Sequence, residues 1–166
     1  MQNKVLILGL GNPLLGDDGV GWRVAEEVER ELNQRSEISN QQLIEVDYSA
    51  GGGLPLMERL IGYTDAILID AIDLKRGPIG SVYQFDLDEL PNQFAGHIAS
   101  THETNLQTAL NMGRSLGAAL PDRVTVIAIE SPHVYEFSEE LTSPVAQAVP
   151  QAIDLVWQQL RLPQEV

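Results

Sequence analysis

Five side chains have the type and position to do chemistry: Asp17, Asp18, Asp70, Glu130 and His102. Asp18 follows the glycine turn after the first apolar run, Asp70 ends the run Ile67-Leu68-Ile69, and Glu130 ends Val124–Ile129. Ligands of open α/β sheets bind outside the carboxyl ends of the strands, so these three carboxylates should share one edge. His102 reaches that edge if the Leu87–Ala99 loop folds back over it. One imidazole with two carboxylates, as in Asp18, Asp70 and His102, is a mixed N/O donor set that suits a divalent transition metal such as nickel, zinc or manganese. Three protein ligands leave coordination positions open for water or a substrate group. Ser100-Thr101-His102-Glu103 fits a capping box, with Ser100 at the N-cap and His102 in the first helical turn. The positive dipole end there disfavours the imidazolium and keeps a ring lone pair available.

Each residue also has a plainer reading. Asp17 and Asp18 suit a helix N-cap, Asp70 a strand end satisfying loop N–H groups, and His102 a capping-turn surface position. Glu130, followed by Ser131-Pro132, suits a strand terminator. His97 and His133 read as surface histidines and Asp65 and Asp73 as solvated flanks of a strand. Trp22 and Trp157 read as helix residues packed on the domain. From the residues alone the chain is an α/β domain with a candidate carboxylate–histidine metal site.

Several function classes are disfavoured. The dinucleotide fingerprint needs a third glycine where Leu14 stands, and the phosphate loop needs Lys and Ser/Thr where Asp17 and Asp18 stand. Two carboxylates at a helix start repel an anion that the helix terminus would otherwise attract. A net charge of -14 lacks the basic stripe of a nucleic-acid binder. With no cysteine, disulfides, thiolate metal sites and cysteine nucleophiles are out. No Ser–His arrangement is evident, and the His-Glu-x-x-His motif of zinc proteases is missing. No apolar run approaches a membrane span and the first run is too short for a signal peptide, so a cytoplasmic protein without membrane contact is expected.

The elements that must position these residues follow from periodicity. The chain has 166 residues, which suits one domain (1–166) burying about 70% of its unfolded surface. Val5–Leu10 reads as a central parallel strand covered on both faces. Val20, Val24, Val28 and Leu32 recur every four residues and predict an amphipathic helix from Asp17 or Asp18. Leu43–Tyr48 and Ala66–Asp70 read as strands, with a short helix between them carrying Leu56, Leu60 and Ile61. Ser81–Phe85 alternates as an antiparallel edge strand should. Leu106, Ala109, Leu110 and Leu116 mark the inward face of a third helix. After the strand Val124–Ile129, Ser143 caps a last helix with Pro144 in its first turn and Val145, Val149, Ile153, Val156 and Leu160 inward. Alternating strands and helices predict a single layered α/β domain: about five strands in a mostly parallel twisted sheet, helices on both faces, and one antiparallel edge strand.

The motifs, in their order, resemble the nickel-dependent endopeptidases that mature [NiFe]-hydrogenase large subunits. The family opening, Gly-x-Gly-Asn, four residues, Asp-Asp/Glu, two residues, Gly, is matched by Gly9-Leu10-Gly11-Asn12 through Asp17-Asp18-Gly19-Val20-Gly21. Ile67-Leu68-Ile69-Asp70-Ala71, Ser100-Thr101-His102-Glu103-Thr104-Asn105-Leu106 and Leu141-Thr142-Ser143-Pro144-Val145 match in turn. Many members carry a glycine pair after the second-strand aspartate, where this chain has Tyr48 and Ser49 after Asp47. The resemblance implies an enzyme that cuts a C-terminal extension from the large-subunit precursor once nickel is inserted. It implies that Asp18, Asp70 and His102 contact that nickel, which belongs to the substrate, so no permanent cofactor is expected. The expected partner is the precursor, not nucleic acid or membrane, and a monomer is adequate. Two alternatives stand beside it: a non-catalytic nickel carrier or assembly chaperone using the same three ligands, and a peptidyl-tRNA hydrolase, whose opening also reads Gly-Leu-Gly-Asn-Pro but whose Thr-Arg-His-Asn segment is absent here and whose tRNA substrate a charge of -14 does not suit.

Overall fold

The computed structural model describes residues 2–35, 42–90, 98, 105–132 and 136–161. Strands β1 (Asn3–Leu10), β2 (Gln42–Ser49), β3 (Asp65–Ile72), β4 (Val82–Asp86) and β5 (Arg123–Glu130) form one sheet in the order β2-β1-β3-β5-β4. All neighbours are parallel except β4, which runs antiparallel to β5 at an edge. This is the mixed sheet expected.

Strand alternation decides which helices cover which face. Val5, Ile7, Ile67, Ile69, Ile127 and Ile129 point to one side, where α1 (Val20–Gln34) and α4 (Ser143–Arg161) bury Val20, Val24, Val28, Val145 and Val156 against them. Leu6, Leu8, Leu68, Ile72 and Val126 point to the other, under α2 (Gly53–Arg59) and α3 (Leu106–Ser115) with Leu56, Leu60, Leu106 and Leu110. Each such fully buried aliphatic side chain contributes about 1.5–3 kcal/mol of burial. The continuous apolar runs of β1, β3 and β5 are thus the signature of strands covered twice.

Several boundaries differ from expectation, each for a local reason. A 3-10 turn, Gly16–Gly19, holds Asp17 and Asp18, and the α-helix proper starts at Val20. β3 runs two residues past Asp70, because Ala71 and Ile72 keep pairing with Ile129 and Glu130 of β5. Asn105, not Ser100, is the N-cap of α3: its side chain accepts the Thr108 N–H at 2.9 Å. Leu116 is 82% exposed, at the C-cap just before Gly117, whose φ of +85° turns the chain away. Ile61, past the end of α2, is also exposed. The first carbonyl of α4 comes from Thr142, which accepts the Ala146 N–H at 2.8 Å.

The order β2-β1-β3 has a direct consequence for ligands. From β1 the chain crosses to β2 on one side, and β3 then lies on the other, so a crevice opens between the carboxyl ends of β1 and β3. Such a switch point is the common ligand site of open parallel sheets.

Candidate functional site

The Gly-x-Gly-Asn turn leaves β1 at this crevice, and its glycines are there because backbone passes against backbone. A Cβ on Gly9 would lie 2.6 Å from the Gly21 carbonyl oxygen and 2.9 Å from the Ala25 Cβ. One on Gly21 would lie 2.5 Å from the Leu10 carbonyl oxygen and closer still to that of Ile69. Gly11 adopts φ +122°, and its Cβ would strike the Asp18 carbonyl oxygen. The opening motif is therefore a packing motif. It lets the first turn of α1 seat directly on β1 and on β3 at Ile69, the neighbour of Asp70.

Within the turn, Asn12 ties the loop together. Its N–H donates to Asp18 Oδ2 at 2.8 Å, its side-chain Oδ1 accepts the Leu14 N–H at 3.0 Å, and its carbonyl accepts the Leu15 N–H at 3.1 Å. Asp18 is thus held back onto the glycine turn, and neither Asp17 nor Asp18 caps α1, whose N-cap is Gly19 with no side-chain hydrogen bond. The advance signal for Asn12 was its place in the Gly-x-Gly-Asn opening; its role in tying the turn was not legible. Asp70 is fully buried inside β3, opposite Ala128 of β5. By alternation it shares the face of Leu68 and Ile72, the α2/α3 side. The 3-10 turn that holds Asp18 packs on β3, the strand that carries Asp70.

His102, like His97 and His133, lies outside the described residues. The chain on either side of it is anchored on the face that Asp70 shares: Ile98 and Leu106 are both buried there, and the Leu106 N–H donates to the Ile98 carbonyl at 3.2 Å. Among the described residues no three His, Cys, Asp or Glu side chains gather to hold a metal ion.

Asp17 and Glu130 have structural partners. Asp17 accepts the Thr142 N–H at 2.7 Å and the Thr142 hydroxyl at 2.8 Å, joining the start of α4 to the 3-10 turn. Glu130 is buried at the end of β5, and its Oε1 accepts the Lys75 N–H at 2.6 Å. Lys75 has φ +53°, so Glu130 fixes a left-handed kink in the β3–β4 connection. Its backbone ties the same connection through Ser81 and Gly80, at 2.8 Å each. The tryptophans pack as expected, Trp22 donating to the Ser49 carbonyl at 3.3 Å and Trp157 to Glu31 at 2.6 Å. Asp65 is an ion-pair partner of Arg123, 3.0 Å away, at the opposite end of the sheet.

Three groups on and beside β2 have perturbed titrations. On β2, the Tyr63 hydroxyl and then Lys4 hold the Glu45 carboxyl below its usual range. Burial, with Glu45 beside it, pushes Tyr63 up to about 12. Burial and the hydrogen bond to Glu29 raise Tyr48.

Comparison with known proteins agrees with this fold. The family model HycI, "Hydrogenase maturation protease", matches residues 22–159. The "Hydrogenase expression/formation protein HupD" of Rhizobium leguminosarum bv. viciae is 30% identical over 160 residues, covering 95% of this chain and 74% of that one. The "Hydrogenase 2 maturation protease" of Escherichia coli K12 is 28% identical over 158 residues, covering 95% and 91%. The solved hydrogenase maturating endopeptidase HybD from E. coli superposes with a TM-score of 0.69 at 27% identity, covering 97% of this chain and 93% of that one. The chain belongs to the hydrogenase maturation protease family.

Proposed function

We propose that this maturation protease removes the C-terminal extension of a [NiFe]-hydrogenase large-subunit precursor after nickel has been inserted. In this reading the metal arrives with the substrate. Asp18 and Asp70 offer carboxylate oxygens, and His102 an imidazole nitrogen, to open positions on the precursor's nickel, which sets the neighbouring peptide bond at the crevice. Hydrolysis then adds water across that bond: the carbonyl carbon gains the oxygen, the C–N bond breaks, and the leaving amine takes the proton. In this reading a carboxylate oxygen of Asp18 or Asp70 left off the nickel relays that proton. Recognition through the metal makes cleavage conditional on insertion, because an empty precursor offers nothing for the carboxylates to bind.

The observation that supports this reading most is the glycine turn that seats Asp18 at the end of β1, against β3, the strand that carries the buried Asp70. The test is intact-mass analysis of large-subunit precursors from the source cell, nickel-loaded and nickel-free, incubated with the protein. Loss of a C-terminal peptide from the loaded form alone, abolished by Asp18→Ala, is the expected result. Nickel binding with no change in precursor mass overturns the reading in favour of a carrier.

A further inference from the structure

On the outer side of the Gly16–Gly19 turn lies a second concavity of about 330 Å³, walled by Leu15, Asp17, Ile79, Pro132, Glu136 and Pro144 among others. Its walls are preset. The Gly16 N–H donates to the Ser138 carbonyl at 2.7 Å, the Ser138 N–H to the Leu14 carbonyl at 2.9 Å, and Asp17 holds Thr142. Ile79, a large apolar side chain of the wall, stands half in solvent, with Leu15, Pro132 and Pro144 lining the concavity beside it; Leu14 and Phe137, exposed as well, flank wall residues in sequence. Glu136 and Glu140 line it, no lysine or arginine does, and neither glutamate side chain has a hydrogen-bond or ion-pair partner among the described residues. Exposed apolar groups around a concave site mark a binding surface, and unneutralised carboxylates beside them select a cationic partner.

We propose that this concavity takes a large apolar side chain of the precursor's C-terminal extension, with basic residues of that extension lying against Glu136 and Glu140. The proposal rests on the proteolytic reading above. Asp17 walls the concavity while Asp18, the next residue, borders the crevice, so a peptide crossing the crevice passes the concavity within a few residues of the scissile bond. The departing side of the bond is the one that fits. A contact made to the extension is dissolved by the cut, and so does not retain the matured subunit.

The experiment is steady-state processing of nickel-loaded precursor by wild type, Ile79→Glu, Phe137→Ser and the double variant Glu136→Lys/Glu140→Lys. Ile79 and Phe137 are exposed, and thermal unfolding should confirm that all three variants fold. KM should rise about tenfold or more with kcat within about twofold, since the contact is made equally in ground and transition states. Added salt should raise KM for the wild type and not for the charge-reversed variant. KM unchanged in Ile79→Glu and in the charge-reversed variant, with processing intact, overturns this proposal alone. A wild type that leaves every loaded precursor uncut overturns the proteolytic reading on which it rests.

Discussion

Replacing Gly21 with alanine sets two opposing effects against each other at the point where the site is assembled. Gly21 lies inside α1, so helix propensity alone favours alanine by about 1 kcal/mol. Against that, the new Cβ meets two backbone oxygens, Leu10 at 2.5 Å and Ile69 nearer still, and neither can rotate away. To reach the 3.4 Å at which ordinary contact begins, the start of α1 has to retreat from the sheet by about 1.1 Å, a distance set by the nearer Ile69 oxygen. Overpacking of this kind costs about 3 kcal/mol, the upper part of its usual range, because both neighbours are main chain. The net loss is then about 2 kcal/mol, or a Tm lowered by about 4–8 °C in a domain of this size. The same retreat carries Asp18 away from Asp70, and a misplacement near 1 Å lowers processing by about 100-fold. Gly51→Ala is the control, since its Cβ would meet only the Ser49 side chain at 3.8 Å. It should change stability by less than about 0.5 kcal/mol. Calorimetry and a processing assay on both variants check the argument. A Gly21→Ala protein with wild-type Tm and full activity refutes the claim that this glycine exists for close packing.

Other perturbations separate structural from reactive carboxylates. Asp17→Ala should destabilise the fold by about 1–3 kcal/mol in urea titration, because the Thr142 N–H and hydroxyl lose an ionised acceptor. Asp70→Asn should keep the buried shape of β3, and a near wild-type Tm, while processing of loaded precursor is lost; retained processing counts against its role. Tyr63→Phe should weaken the protein near pH 7 by under about 1 kcal/mol, a value limited by the exposure of the pair. Because the folded pKa of Glu45 is lowered below 4.5, that stabilisation is present above the ordinary value and is lost as pH falls through the folded one. The gap between wild type and Tyr63→Phe in urea titrations should therefore narrow as pH is lowered below 4.5, and a gap that stays constant over that fall contradicts the assignment.

Much of this was readable from residues because burial imposes period. The double-sided strands β1, β3 and β5 and the valine stripe of α1 declare themselves through runs and fours. Asp70 was expected at a strand end, yet β3 continues through Ala71 and Ile72, because their pairing partners on β5 lie beyond any local pattern. What escaped was decided by distant or competing partners. Ser100-x-x-Glu103 satisfies the capping pattern, yet Asn105 caps α3, where Leu106 is fully buried against the sheet. The role of Asp17 depends on Thr142, 125 residues away, and that of Glu130 on the Lys75 N–H, 55 residues away. No local pattern carries either. The opening motif was legible as a glycine turn, but its reason, backbone seated on backbone at Ile69 and Leu10, appears only once β3 lies beside β1.

The central claim is that Asp18, Asp70 and His102 bind the nickel carried by the precursor. Nickel-edge X-ray absorption tests it directly on loaded precursor alone, with the wild-type protein and frozen before turnover, and with Asp18→Ala. Wild type should add oxygen and nitrogen neighbours to the nickel, and Asp18→Ala should add fewer. A nickel spectrum unchanged by a wild-type protein that goes on to cut the same sample would contradict it.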